Sequence, residues 1–343
     1  MGHRSGVTPD SGNGGTTGSW PSSLHEAARF VLRHLPDSAP FEGAPTEADR
    51  LSRSDEPPEL IAPSVLEGDE FRAVEVGDPR LLRISGFSAF LDGAQDIRVV
   101  NYAAGIPVVW ATVSAAVRAR VNRRLVSWRG RPPVVSGRYY IPLRYVDQIA
   151  PEFRSHPGVI DTGLPDSKGV VPSRHPAALM EAAVKRVQND RERVELELGE
   201  EWCAAGEGVL YVDGSITSSR IVSASLSAVG VIKSHRRLYA EGNAFNVLVM
   251  LKAGHRTSVF KVEPRGRHAV ASWYVRIRPA TGRDVLFGLV RVEAAIDSDI
   301  TARADEISRW IIAEGAPLAL PDGRWDKMSY GIRHTEEFLR AIS

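Results

Sequence analysis

Two apolar runs in this chain end on Asp-Gly: Ser88-Ala89-Phe90-Leu91-Asp92-Gly93 and Gly208-Val209-Leu210-Tyr211-Val212-Asp213-Gly214-Ser215. A carboxylate fixed at the end of a buried strand can hold a divalent cation, and a neighbouring strand can supply a second. Phosphodiester cleavage on two metal ions needs several such carboxylates converging on sites about 4 Å apart. A helix leaning on the sheet can bring a third. Glu195 is the candidate, because the Arg191–Glu195–Leu198–Trp202 face borders the buried stripe of a predicted helix. The same spacing serves an i,i+4 pair with Arg191. Glu192 and Glu197 point elsewhere and read as solvated. Asp-Gly is also a common hairpin turn, so the reading rests on the set of motifs and not on either one.

Four further positions could join that chemistry. Lys233 closes the run Ala228–Lys233, where a buried ammonium needs an anion, either a phosphate or an internal carboxylate. Arg256 offers a bidentate donor of the kind that holds phosphate. Glu293 ends Leu289–Glu293 and either approaches the site or pairs with a basic neighbour. His334, in a predicted last helix, could be a ligand or proton carrier, or a structural histidine. Glu181, earlier in Glu195's helix, is a weaker candidate and reads equally as a surface charge. Carboxylates for metal beside Arg and Lys for phosphate suggest a nuclease.

Other chemistries lose support. No zincin, P-loop or dinucleotide fingerprint is present, and no Gly-x-Ser-x-Gly elbow. The single cysteine, Cys203, excludes an intrachain disulfide framework and a cysteine zinc site, which fits a reducing cytoplasm. The apolar runs are too short to span a bilayer, and the N-terminus does not read as a signal peptide. A net charge of +1 is low for a nucleic-acid binder, but residues 1–80 carry −7 and the remainder +8. Ile97–Val146 holds nine Arg and no acid, which predicts a basic working surface.

The elements that must position these residues follow from periodicity. Residues 1–80 read as an extension: a disordered start, a short helix over Leu24–Leu35, and a Pro- and acid-rich linker over Pro36–Pro63. The folded domain is expected over 81–343. Strands are predicted at Arg83–Leu91, Asp96–Tyr102 and Ile106–Thr112, then a helix at Val113–Leu125 carrying Arg118, Arg120, Arg123 and Arg124 on its outer face. A long helix covers Ala177–Trp202. Ile221–Lys233 reads as a strand or strand pair, and Asn243–Leu251 as helix or strand. Strands follow at Ser258–Val262, Val270–Arg278 and Val285–Ala295, and helices at Thr301–Ala313 and Ser329–Ile342. The pattern is α/β, a mixed sheet with helices.

The order of these motifs resembles the NurA nucleases. It runs Phe90-Leu91-Asp92-Gly93, a helix with Arg191 and Glu195, Leu210-Tyr211-Val212-Asp213-Gly214-Ser215, then Val229-Gly230-Val231-Ile232-Lys233. Gly254–Phe260 and the Ser272–Ile277 and Leu289–Glu293 segments are similar to later parts of that family, and His334 falls where it places a C-terminal histidine. The resemblance covers roughly 81–343. It implies an RNase H-like fold, a manganese- or magnesium-dependent DNA nuclease with two ions, a homodimer, and a HerA-type hexameric ATPase as partner, acting in DNA-end processing or defence. Asp92, Glu195, Asp213 and His334 are the implied metal ligands, with Lys233 at the scissile phosphate. The rivals are a PIWI-like guided nuclease, which would need further guide-binding domains, and an inactive subunit that only binds DNA or a partner.

Overall fold

The apolar run beginning at Phe87 does not stop at Asp92. In the computed structural model it is one seventeen-residue strand. The structure describes residues 57–78, 81, 85–103, 105–146, 154–166, 169–315 and 327–342. The predicted helix over Leu24–Leu35 lies outside them.

In chain order the strands before the first long helix are β1 (Glu59–Leu60), β2 (Ser64–Val65), β3 (Ala73–Glu75), β4 (Phe87–Ala103), β5 (Ile106–Val121), β6 (Arg124–Ser127), β7 (Val134–Ile141) and β8 (Val159–Asp161). Then come α1 (Pro176–Ala205), β9 (Val209–Asp213), α2 (Arg220–Ala224), β10 (Ala228–Ile232), β11 (Arg237–Leu238) and α3 (Asn243–Val249). The rest is β12 (His255–Thr257), β13 (Phe260–Val262), β14 (Val270–Arg276), β15 (Leu289–Ala294), α4 (Ile300–Ala313) and α5 (Tyr330–Arg340).

Among the described residues, thirteen strands form one mixed sheet with the central order β14-β15-β10-β9-β4-β5-β7. β4, β9 and β10 are parallel neighbours, joined through α1 and α2. The fold class is therefore the expected α/β mixed sheet flanked by helices. No described helix is long and apolar enough to cross a membrane.

Three expectations are corrected. Val113–Leu125 is not a helix: most of it is β5, paired with β4, and Arg124 opens β6. β5 is buried on both faces through most of its length, so its apolar residues lack the alternation that marks a half-exposed strand. Ile221–Lys233 is not a continuous strand: its first part is α2, capped by Ser219, whose Oγ accepts from the amides of Ile221 and Val222. Finally, residues 57–78 are not a linker. β1 pairs with β11, β2 with β13 and β3 with β12. The buried Glu67 also holds both guanidinium nitrogens of Arg256, at 2.6 and 3.0 Å.

Helix α1 forms for local reasons. Pro176 opens it, His175 Nδ1 accepts from the amide of Ala177, and Gly206 ends it at φ 67°. Ala183, Val187, Val194, Leu198 and Trp202 recur at helical spacing and pack on Ala89, Leu91, Val113, Val117 and Leu210 of the sheet. The indole of Trp202 donates to the Gly208 carbonyl and fixes the return into β9. The other face is covered by α4 and α5, against Phe90, Tyr211, Val229, Val231, Trp273 and Val292. Gly331 lets α5 sit on Phe90, since a Cβ there would overlap the ring.

Candidate active site

Strand alternation decides which carboxylates meet. In β4, Leu91 faces α1 and Phe90 faces α5, so Asp92 lies on the α5 side. In β9, Tyr211 belongs to the same side, and Asp213 follows it by two. The register pairs Leu91 with Val212 and Val231 with Asp213, so Asp92 and Asp213 are neighbours and Lys233 follows on the next strand. Asp92 lies within β4 and not at its end, because the strand runs on to Ala103.

Lys233 Nζ lies 2.7 Å from Oδ1 and 2.8 Å from Oδ2 of Asp213. It also lies 3.7 Å from Met328 Sδ, and Lys327 Nζ donates to its carbonyl at 3.0 Å. The internal carboxylate expected for Lys233 is that of Asp213. Glu195 reaches in from α1 over Gly93, and Arg191 Nη1 holds its Oε1 at 2.7 Å. The expected i,i+4 pair with Arg191 is found.

The electrostatics mark these groups as one cluster. Burial pushes the Asp92 carboxyl well above the usual aspartate range, and the charges of Asp213, Glu195 and Glu336 push it further against the pull of Lys233. Burial raises Glu195 to about 7, with Asp213 and Glu192 adding to it and Arg191 opposing. Glu336 was not singled out in the sequence. It comes from α5, bonds Arg340, and follows Ile332 by one helical turn at the border of that helix's buried stripe, which was the available signal.

Other candidates fall elsewhere. Among the described residues His334 makes no hydrogen bond to the three carboxylates, and its buried Nδ1 has no hydrogen-bond partner. Glu293 is fully buried on the opposite face of the sheet. Its Oε2 accepts from Ser215 Oγ at 2.8 Å and the Ile216 amide at 3.0 Å, and Arg291 holds Oε1. It pairs with a basic neighbour, as one reading had it, and also anchors the turn directly after Asp213. Arg256 is not available to phosphate: Glu67 and Asp305 bind it in the interior. Glu181 is exposed, as a surface charge.

The basic span is also redistributed. Arg118 is buried, with its guanidinium 4.1 Å from the Phe338 ring centroid and bonded to the Leu125 carbonyl and Ser127. Arg120 pairs with Glu314 at 2.6 Å. Arg123 and Arg124 remain exposed, at the β5–β6 turn where Asn122 and Arg123 have φ 50° and 63°.

The donor set fits a hard divalent cation in kind: three carboxylates, no sulfur, and mutual repulsion that a cation would relieve. It is not a preassembled cage, for among the described residues no three His, Cys, Asp or Glu stand together as metal ligands. Neither a scan against family models nor a search of curated proteins finds a match to this chain.

Proposed function

We propose that this chain is a metal-dependent nuclease that hydrolyses phosphodiester bonds of DNA. The observation that carries the reading is the placement of Asp92 and Asp213 on neighbouring strands beside Lys233, with Glu195 of α1 packed on Gly93. Desolvated carboxylates such as Asp92 and Glu195, with other carboxylates nearby, are costly for a fold and useful at a catalytic centre.

Asp92, Asp213 and Glu195 would hold Mn2+ or Mg2+, and two bound ions supply charge to the phosphoryl oxygens and acidify water. Lys233, released from Asp213, is a compact cation able to bind the scissile phosphate. Glu195, raised to about 7 by burial, would give up its proton to hold the cation. Glu293 steadies the backbone that presents Asp213 by holding Ser215 and Ile216. The resemblance to NurA nucleases extends the proposal to an RNase H-like active-site arrangement, a homodimer, a HerA-type ATPase partner and action in the cytoplasm. His334 enters it only through that resemblance.

A second reading, a non-cleaving subunit that binds DNA or a partner, is favoured by one observation: Lys233 occupies both oxygens of Asp213. The test is a labelled single-stranded oligonucleotide incubated with metal-stripped protein. Cleavage that starts on adding Mn2+ and stops with EDTA supports the nuclease. Binding without cleavage under Mn2+, Mg2+ and Ca2+ supports the second reading.

A further inference from the structure

Between α1 and the turn that leaves β9, lined by Glu195 and by Asp213 at the strand's end, lies a cleft of about 380 Å³. α1 forms one wall and the Gly214–Ser218 turn the other, and Arg267 stands at the lining. We propose that this cleft holds the nucleotide adjoining the scissile phosphate of an unpaired DNA strand, and that Arg267 binds a flanking phosphate. The inference rests on the nuclease reading and adds the subsite and the strand state.

Size comes first. The volume equals a box about 7 Å on a side, whereas the major groove alone of a duplex is about 12 Å wide. It falls in the range of small-molecule sites, roughly 300–1,000 Å³. The lining chemistry is divided in the way a nucleotide needs. Leu196, Ile216 and Val222 give an apolar wall for a base face, while Ser215 and Ser218 add hydroxyls. Three guanidinium groups line the cleft, but Arg191 is held by Glu195 and Arg193 by Glu197. Arg267 has no carboxylate partner among the described residues and is exposed. Its backbone is tied down next door: the His268 amide donates to the Thr217 carbonyl at 2.9 Å, joining the segment to the turn after Asp213. Glu293 anchors that turn from beneath, so the wall and the clamp are parts of one braced unit.

The test uses a fluorescent single-stranded oligonucleotide, with anisotropy in EDTA for binding and Mn2+-dependent cleavage for turnover. Arg267→Ala should weaken binding about tenfold and lower the salt slope by about 0.7, the value for one phosphate on a single strand. Its KM should rise more than its kcat falls, and Arg267→Lys should recover part of the loss. Ser218→Trp, at an exposed position, fills the mouth and should abolish binding while the circular dichroism stays unchanged. The inference is overturned if the wild type does not bind the oligonucleotide, or if both folded variants bind and turn over like wild type. If the wild type cleaves and the variants match it, the cleft fails and the nuclease stands. If nothing cleaves but both variants lose binding, the nuclease fails and the cleft stands.

Discussion

The carboxylate of Glu195 occupies the space where a side chain at Gly93 would be: a Cβ there would overlap Oε1, Cδ and Cγ of Glu195. The glycine of the first Asp-Gly therefore makes no turn. It leaves room for the helix carboxylate against the α1 face of the strand, next along the chain from Asp92.

Gly93→Ala should displace Glu195 and lower Mn2+-dependent cleavage by about tenfold or more, on the order of losing one catalytic contact. The fold should persist, because β4 is paired with β5 there. Rates equal to wild type would show that cleavage does not need Glu195 where it lies.

The pH behaviour follows from Glu195. Its pKa rises from 4.5 to about 7 on folding, so the folded state binds the extra proton between those values. That stabilisation is present in full below 4.5 and is lost as pH rises through about 7, at most about 3 kcal/mol for a shift of this size. Without metal, this group should make the melting temperature fall between pH 5 and 8, most clearly against Glu195→Gln. Mn2+ should reduce the fall. A melting temperature that rises equally in Glu195→Gln and wild type would contradict the assignment.

Lys233 is 7% exposed and its partner Asp213 18%. Lys233→Ala leaves Asp213 without its cation, and breaking such a buried pair costs about 3 kcal/mol. Thermal melts should show that loss, and Mn2+ should restore part of it. An unchanged melt, with and without Mn2+, would mean that the pair does not hold in solution.

The four arginines once grouped on one helix should now separate. Arg118→Ala and Arg120→Ala remove a packed guanidinium and a Glu314 partner, so each should cost about 1–3 kcal/mol of stability. Arg123→Ala with Arg124→Ala should leave stability within about 0.5 kcal/mol. If their turn meets DNA, the salt slope for duplex binding falls by about two. Equal stability losses from both pairs would contradict the division.

Much of this was legible in the sequence where one physical signal acted alone. α1, α4 and α5 showed in their 3.6-residue spacing, and Asp213 in an apolar run closed by a glycine that takes φ 134°. The failures share one cause, partners distant in sequence. β5 lost its alternation because elements far along the chain bury both of its faces. Gly93 passed for a turn because the atom it makes room for lies in α1. Arg256 passed for a phosphate donor because Glu67 and Asp305 lie on either side of it in the chain. Glu336 was overlooked because only the packing of α5 brings it toward Asp92.

The central claim is that Asp92 and Asp213 act together in hydrolysis. Single-turnover cleavage of a labelled single-stranded oligonucleotide in Mn2+ tests it most directly, comparing wild type with Asp92→Ala, Asp213→Ala and the double variant, each shown to be folded. Each single variant should lose at least about 10³-fold, and the double no more than the worse single, since groups acting as one unit are not additive. Wild-type rates in either folded single variant would contradict the account.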